Sequence, residues 1–178
     1  MKFFIGITPP KEIKEKIIAF QRLFPHNEAP NIFEPHITVK AQSGLADDLS
    51  WLSEVKVIAA KNNKFEISFA GIGTFGESVV FLKPGYSSQL IELHKKLFEA
   101  IKPEDAGKGY FENEQYSPHL TLGGTGWGLN KGELAEIKKE AEKRLEQLPK
   151  FDISFIRVYR QLNNDEPYHK FLDLPFEK

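Results

Sequence analysis

The residues best equipped for chemistry occur twice, as Pro35-His36-Ile37-Thr38-Val39 and as Pro118-His119-Leu120-Thr121-Leu122. Side chains alternate across a β-strand with period two, so His36 and Thr38 share one face of their strand, and so do His119 and Thr121. Ile37 with Val39, and Leu120 with Leu122, then point the other way into a core. A Pro ahead of each His suits the first residue of a strand. Two imidazoles brought face to face, each beside a hydroxyl, suit acid-base catalysis at a tetrahedral phosphorus. The ordinary pKa of His lies near neutrality. One neutral ring could take a proton from water or a ribose hydroxyl while the other, protonated, gives one to the departing oxygen on the opposite side. The two Thr hydroxyls would donate to the non-bridging phosphate oxygens, where charge is rearranged in the transition state. This scheme calls for no metal and no cofactor.

A single His-x-Thr on a strand is more often a structural histidine, so the weight rests on the surroundings of the two copies. Residues 3–7 read as a buried strand, and Thr8-Pro9-Pro10 as an N-cap followed by Pro in a first helical turn. Ile13, Ile17, Phe20 and Phe24 form one face of that helix, which Pro25 ends. After the first motif, Leu45, Leu49, Leu52 and Val55 suggest a second helix, although residues 55–60 are strand-like too. Phe65-Glu66-Ile67-Ser68-Phe69 alternates strictly and, with Val79-Val80-Phe81-Leu82, suggests a hairpin across residues 71–77.

The second half repeats this order. Ser87 or Ser88 caps a helix burying Leu90, Leu93, Leu97 and Ile101, and a polar loop over residues 102–115 leads into the second motif. Asn130 and Glu133 have capping-box spacing ahead of Leu134, Ile137, Ala141, Leu145 and Leu148. Phe151-Asp152-Ile153-Ser154-Phe155 answers residues 65–69, and Asn163-Asn164-Asp165 turns into a last strand over residues 168–174. The His motifs recur 83 positions apart (119 minus 36) and the matched strands 86 apart (151 minus 65), one register with a small insertion. The pattern predicts an α+β fold in one domain, residues 1–178. It is a bilobal internal duplication, with two antiparallel β-sheets around a central cleft and helices on the outer faces.

Lys plus Arg number 24 against 25 Asp plus Glu, so no general positive field holds long duplex nucleic acid. A nucleic-acid substrate would be short or held locally. The absence of Cys removes disulfides, thiolate metal sites and a Cys nucleophile together, and fits a reducing compartment. Lys11 and Glu12 arrive too early for a signal-peptide core, and no stretch approaches membrane-spanning length. The expectation is a cytoplasmic, monomeric protein with no membrane partner.

Other residues carry weaker signals. Lys40 continues the face of His36 and Thr38, where it either meets a phosphate or is solvated at the strand end. As a cation beside His36 it would lower that ring's pKa, which points to His36 as base and His119 as acid. Arg160 has the same two readings. Phe33, Tyr116 and Trp127 flank the motifs and either stack on a base or pack at the cleft rim. His26, His94 and His169 lack motif context and read as structural or solvated. A zinc site on His36 and His119 would need further ligands at defined spacing, and neither motif supplies one.

The paired His-x-Thr motifs resemble the 2H phosphoesterase superfamily, which includes 2'-5' RNA ligase-like proteins and 2',3'-cyclic phosphodiesterases. The similarity extends to Gly71-Ile72-Gly73-Thr74-Phe75-Gly76 and to Ile156-Arg157-Val158-Tyr159-Arg160-Gln161-Leu162, and so covers nearly the whole chain. It implies a bilobal α+β fold, His36 and His119 as catalytic residues, and Thr38 and Thr121 as phosphate ligands. The substrate expected from it is a nucleotide cyclic phosphate or a short RNA end. The alternative is a nucleotide- or RNA-binding protein that kept the cleft without efficient turnover.

Overall fold

Period-two alternation around each His builds the strands at the centre. Ile37, Val39, Leu120 and Leu122 are fully buried, whereas His36, Thr38, His119 and Thr121 are half-buried. The computed structural model describes residues 1–101 and 111–177. Its elements are β1 (Lys2–Ile7), α1 (Lys11–Gln21), α2 (Ala29–Ile32), β2 (Ile37–Lys40), α3 (Leu52–Lys61), β3 (Phe65–Ile67), β4 (Phe69–Phe75) and β5 (Val79–Pro84). There follow α4 (Ser88–Ile101), β6 (Leu120–Gly124), α5 (Lys131–Arg144), β7 (Phe151–Ile153), β8 (Phe155–Gln161) and β9 (His169–Pro175). The fold is α+β, and its strands pair antiparallel throughout.

The sheet order is β4-β5-β6-β2-β1-β8-β9, with a separate ribbon of β3 and β7. The two motif strands, β2 and β6, are therefore neighbours, and the halves of the chain are interleaved around them. Strand β5 from the first half lies beside β6 from the second, while β8 from the second half lies beside β1. Helices cross over too, since α1 packs on β6 and α4 on β2. The matched segments at residues 65–69 and 151–155 find each other: Phe65 pairs with Ile153, Glu66 with Asp152 and Ile67 with Phe151. The hairpin partner of β5 is consequently β4, which contains the Gly-rich stretch itself, and the turn tightens to residues 76–78.

Local capping signals explain the starts of two helices. The Ser87 hydroxyl accepts from Leu90 N–H at 3.2 Å at the start of α4, and Asn130 with Glu133 forms the full capping box of α5. Thr8 does not cap α1. Its hydroxyl instead donates to the Pro35 carbonyl at 2.9 Å and holds the entry to the first motif. Residues 55–60 are helical in α3, with Leu45 and Leu49 packing from the turns before it. Most of the expected loop over residues 102–115 lies outside the described residues, and its end forms a 3-10 turn at Asn113–Gln115.

Lys40 is not solvated. Its side chain is fully buried and its ammonium sits 2.8 Å from the Glu112 carboxylate, with further bonds to the carbonyls of Ala41 and Ser43. The same carboxylate accepts from Ala41 N–H at 2.9 Å. Removing one partner of a buried pair strands the other charge, so Glu112→Ala should cost about 3–5 kcal/mol in urea unfolding. The apolar double change Lys40→Met with Glu112→Leu removes both charges and should recover more than half of that loss. A double variant no more stable than Glu112→Ala would contradict this account.

Candidate active site

Strands β2 and β6 share one backbone pair, Ile37 with Leu120. In an antiparallel ladder the residues on either side of a pair are also opposite one another, so His36 stands across from Thr121 and Thr38 across from His119. With Ile37 and Leu120 turned into the core, all four side chains share the opposite face. Beyond that pair the strands diverge, and the backbone groups released need other partners. Side chains from the opposite half of the chain supply them. On β6, the Thr121 and Leu122 carbonyls accept from Gln21 Nε2, and Asn27 Nδ2 bonds Leu122 O at 2.9 Å. On β2, Tyr116 donates to Thr38 O at 2.9 Å and His94 Nδ1 bonds Val39 O at 2.9 Å.

Each motif imidazole is fixed in the same way. His36 Nδ1 lies 2.7 Å from Glu34 O, and His119 Nδ1 lies 2.8 Å from Ser117 O. A carbonyl only accepts, so Nδ1 carries the proton in both rings and Nε2 of the neutral ring keeps its lone pair. Aromatic walls set the ring planes. His36 packs against Phe4, with centroids 4.6 Å apart, and against Phe33 and Tyr159. His119 meets Phe75 edge-on at 4.8 Å and Phe81 at 5.3 Å. The Phe81 ring lies over Gly73, where a Cβ would come within 2.4 Å of it, so the position accepts only glycine without moving that wall.

Burial is the largest influence on both rings and disfavours their charged forms. It pushes His36 down to about 4, against the Glu34 carbonyl and carboxylate, with a charge on His119 lowering it further. His119 is lowered by burial as well, partly offset by its bond to Ser117. Glu34, which sequence reasoning did not single out, anchors the His36 side. Its carboxylate takes Lys14 at 2.7 Å, Arg157 at 2.5 Å and the Tyr159 hydroxyl at 2.8 Å. Burial pushes that carboxyl up, and these bonds more than offset it.

A cavity of about 580 Å³ opens beside His119 and Thr38 and is walled by Phe75, Val79, Phe111 and Tyr116, with Glu112 and His94 among its lining residues. His36 and Thr121 are not part of its lining. Among the described residues neither motif Thr hydroxyl has a hydrogen-bond partner.

Several expectations change. Buried Lys40 is spent on Glu112 and is not among the groups that shift His36, so the cation argument for the base falls. Arg160 lies over the Phe171 ring at 4.8 Å. His94 is structural but belongs to the cavity: it stacks on Tyr116 at 3.7 Å and accepts from Asn113 N–H at 2.9 Å. Phe33 bridges His36 and Trp127 edge-on. His26 pairs with Glu133, and His169 is exposed on β9. Among the described residues, no three His, Asp or Glu side chains converge as a metal site, and no helix is long and apolar enough to cross a membrane.

Comparison with known proteins finds similar sequences and similar folds. The family model of the 2'-5' RNA ligase superfamily matches residues 9–165. An RNA 2',3'-cyclic phosphodiesterase of Methanocaldococcus jannaschii is 28% identical over 174 residues, covering 90% of this chain and 91% of that protein. The crystal structure of TT0787 of Thermus thermophilus superposes with a TM-score of 0.69 at 16% identity, over 99% of this chain and 98% of that one. LigT of E. coli, crystallised with NADP+, gives 0.62 at 15% identity, over 99% and 98%.

The buried neutral histidines predict how stability depends on pH. His36, His94 and His119 all bind protons less readily folded than their ordinary value allows. Unfolded, they protonate around pH ~6.5. Stability from these groups is therefore full above about pH 6.5 and is lost as the pH falls toward the folded value of about 4 at His36. Urea midpoints measured from pH 7.5 to 4.5 should fall, and replacing His94 by Gln should flatten part of that slope. A midpoint independent of pH over this range would contradict the burial of these rings.

Proposed function

Because the chain belongs to the 2'-5' RNA ligase superfamily, we propose that it is a metal-independent phosphodiesterase acting on a 2',3'-cyclic phosphate, at a nucleotide or a short RNA end, and that its 178 residues work as one domain of two related lobes. The observation that carries this reading is the pair Ile37 and Leu120, which sets each motif His across from the Thr of the other motif on one face. A phosphate between the strands then meets an imidazole and a hydroxyl from each side. The cyclic phosphodiesterase activity named for the archaeal relative supports the substrate class.

The asymmetry of the cavity assigns the roles in this proposal. A nucleoside needs room, and the room lies beside His119. The ribose oxygen that leaves phosphorus belongs to that nucleoside, so His119 is the acid and His36 faces the attacking water as base. His36 Nε2 takes a proton as the water oxygen bonds to phosphorus, the P–O bond to one ribose oxygen breaks, and His119 Nε2–H protonates that oxygen. The product is a ribose phosphomonoester with one free hydroxyl. Thr38 and Thr121 donate to the non-bridging oxygens, a role of the kind worth on the order of 10²–10³ in rate.

Replacing either His by Ala should cost roughly 10²- to 10⁴-fold in kcat. The profile of kcat/KM should be bell-shaped, rising through about pH 4 as His36 loses its proton and falling again at higher pH as His119 loses its own, on the acid side of the ordinary imidazole value. A bound phosphate anion favours both imidazolium forms, so the limbs of kcat should lie at higher pH. A phosphodiester with a nitrophenolate leaving group needs no protonation at the departing oxygen. It should restore His119→Ala but not His36→Ala, and the reverse pattern would overturn the assignment. Tight binding of cyclic nucleotide with no turnover by the unaltered protein would favour the binding-protein alternative.

A further inference from the structure

A second cavity, of about 740 Å³, borders the motif from the other side of Pro118. Phe81, Lys83, Tyr86, Ser117 and Pro118 are among its lining residues, and Ser117 also lines the first cavity. The two spaces thus meet at the residue whose carbonyl fixes His119. The ladder between β5 and β6 pairs Phe81 with Thr121 and Leu82 with Leu120, so Lys83 stands across from His119 and on the same face. Lys83 is exposed and has no ion pair among the described residues, unlike buried Lys40. Beyond it, Tyr86 is 89% exposed between β5 and α4. A large aromatic ring left this open at the mouth of a cavity, one strand from the motif and beside an exposed cation, lacks any packing role in the fold.

The two cavities differ in what they can hold. The first is lined by Phe75, Phe111 and Tyr116, its Glu112 carboxylate is already paired with Lys40, and no Lys or Arg is among its described lining residues, so it suits one uncharged ring and gives a chain of phosphates no cation to meet. The second offers a cation and a stacking platform, the combination used for sequence-tolerant binding of single strands. Resting on the proposed cyclic phosphodiesterase reading, we propose that this second cavity is a subsite for the penultimate nucleotide of an RNA 3' end. Lys83 pairs with the phosphate that links the last two nucleotides, and Tyr86 stacks on the penultimate base. The terminal base occupies the first cavity. The site thereby selects an RNA end over a free cyclic mononucleotide without reading sequence.

The test compares kcat/KM for a trinucleotide ending in a 2',3'-cyclic phosphate with that for the cyclic mononucleotide. The unaltered protein should favour the trinucleotide, and Tyr86→Ala should reduce that preference on the order of 10-fold. Lys83→Met should reduce it too, and should lower the salt dependence of log kcat/KM for the trinucleotide by about 0.7 of a unit of slope, one phosphate contact on a single strand. A preference unchanged in both variants would overturn the subsite. Should the unaltered protein turn over neither substrate, the proposed function fails, and the subsite is then read from fluorescence anisotropy of a labelled trinucleotide 3'-phosphate. Weaker binding by Tyr86→Ala would uphold the subsite, and equal affinity would overturn it.

Discussion

Neighbouring strands normally satisfy each other's backbone along their length, but β2 and β6 do so only at Ile37 and Leu120. A strand carbonyl left without a partner in a buried seam costs about 1–3 kcal/mol, so divergence is tolerated only where something else bonds the released groups. Gln21 and Asn27 donate to the carbonyls of β6, Tyr116 and His94 to those of β2, and the Glu112 carboxylate accepts from the N–H of Ala41 just past β2. Each set comes from the half of the chain that the strand does not belong to. The opening between the motifs is therefore held by directional side-chain bonds, which fix how far apart two imidazoles stand more firmly than apolar packing alone.

Within that opening, the proposed chemistry depends on having both rings ready before a ligand arrives. Carbonyls two residues upstream hold both Nδ1 protons, and aromatic rings fix both planes. Burial favours the neutral form of both rings, so in the proposed reaction the phosphate anion supplies the charge that stabilises a proton on one of them. The near-symmetry ends outside the motifs. Glu34 with Lys14, Arg157 and Tyr159 closes the His36 side, whereas the His119 side opens on two cavities. Two copies of one motif thereby acquire different surroundings.

Much of this was legible because it follows from short-range pattern. Period-two alternation placed Ile37 and Leu120 inside and the His and Thr residues together, and capping chemistry located the start of α5. The repeat spacing led to the α+β class. Pairing across the sheet was not legible, since residues 65–67 bond their distant counterpart and not the strand nearest in sequence. The stitching residues were hidden for a related reason. Gln21 and His94 sit on buried helix faces among Phe20, Leu90, Leu93 and Leu97, where a polar residue on an apolar stripe was the available signal. Lys40 was misread because its partner, Glu112, is 72 positions away in the sequence.

The central claim is that two imidazoles, both protonated at Nδ1, face one phosphate from opposite sides. Nitrogen-15 NMR of histidine-labelled protein tests it most directly, with inorganic phosphate titrated at pH 7.5, above the ordinary imidazole value. Without phosphate, His36 and His119 should show an unprotonated Nε2 and a protonated Nδ1. With phosphate, both Nε2 signals should move along one shared saturation curve that fits a single site, while His26 and His169 stay in place. An Nε2–H tautomer at either motif histidine, or separate saturation curves for the two rings, would contradict it.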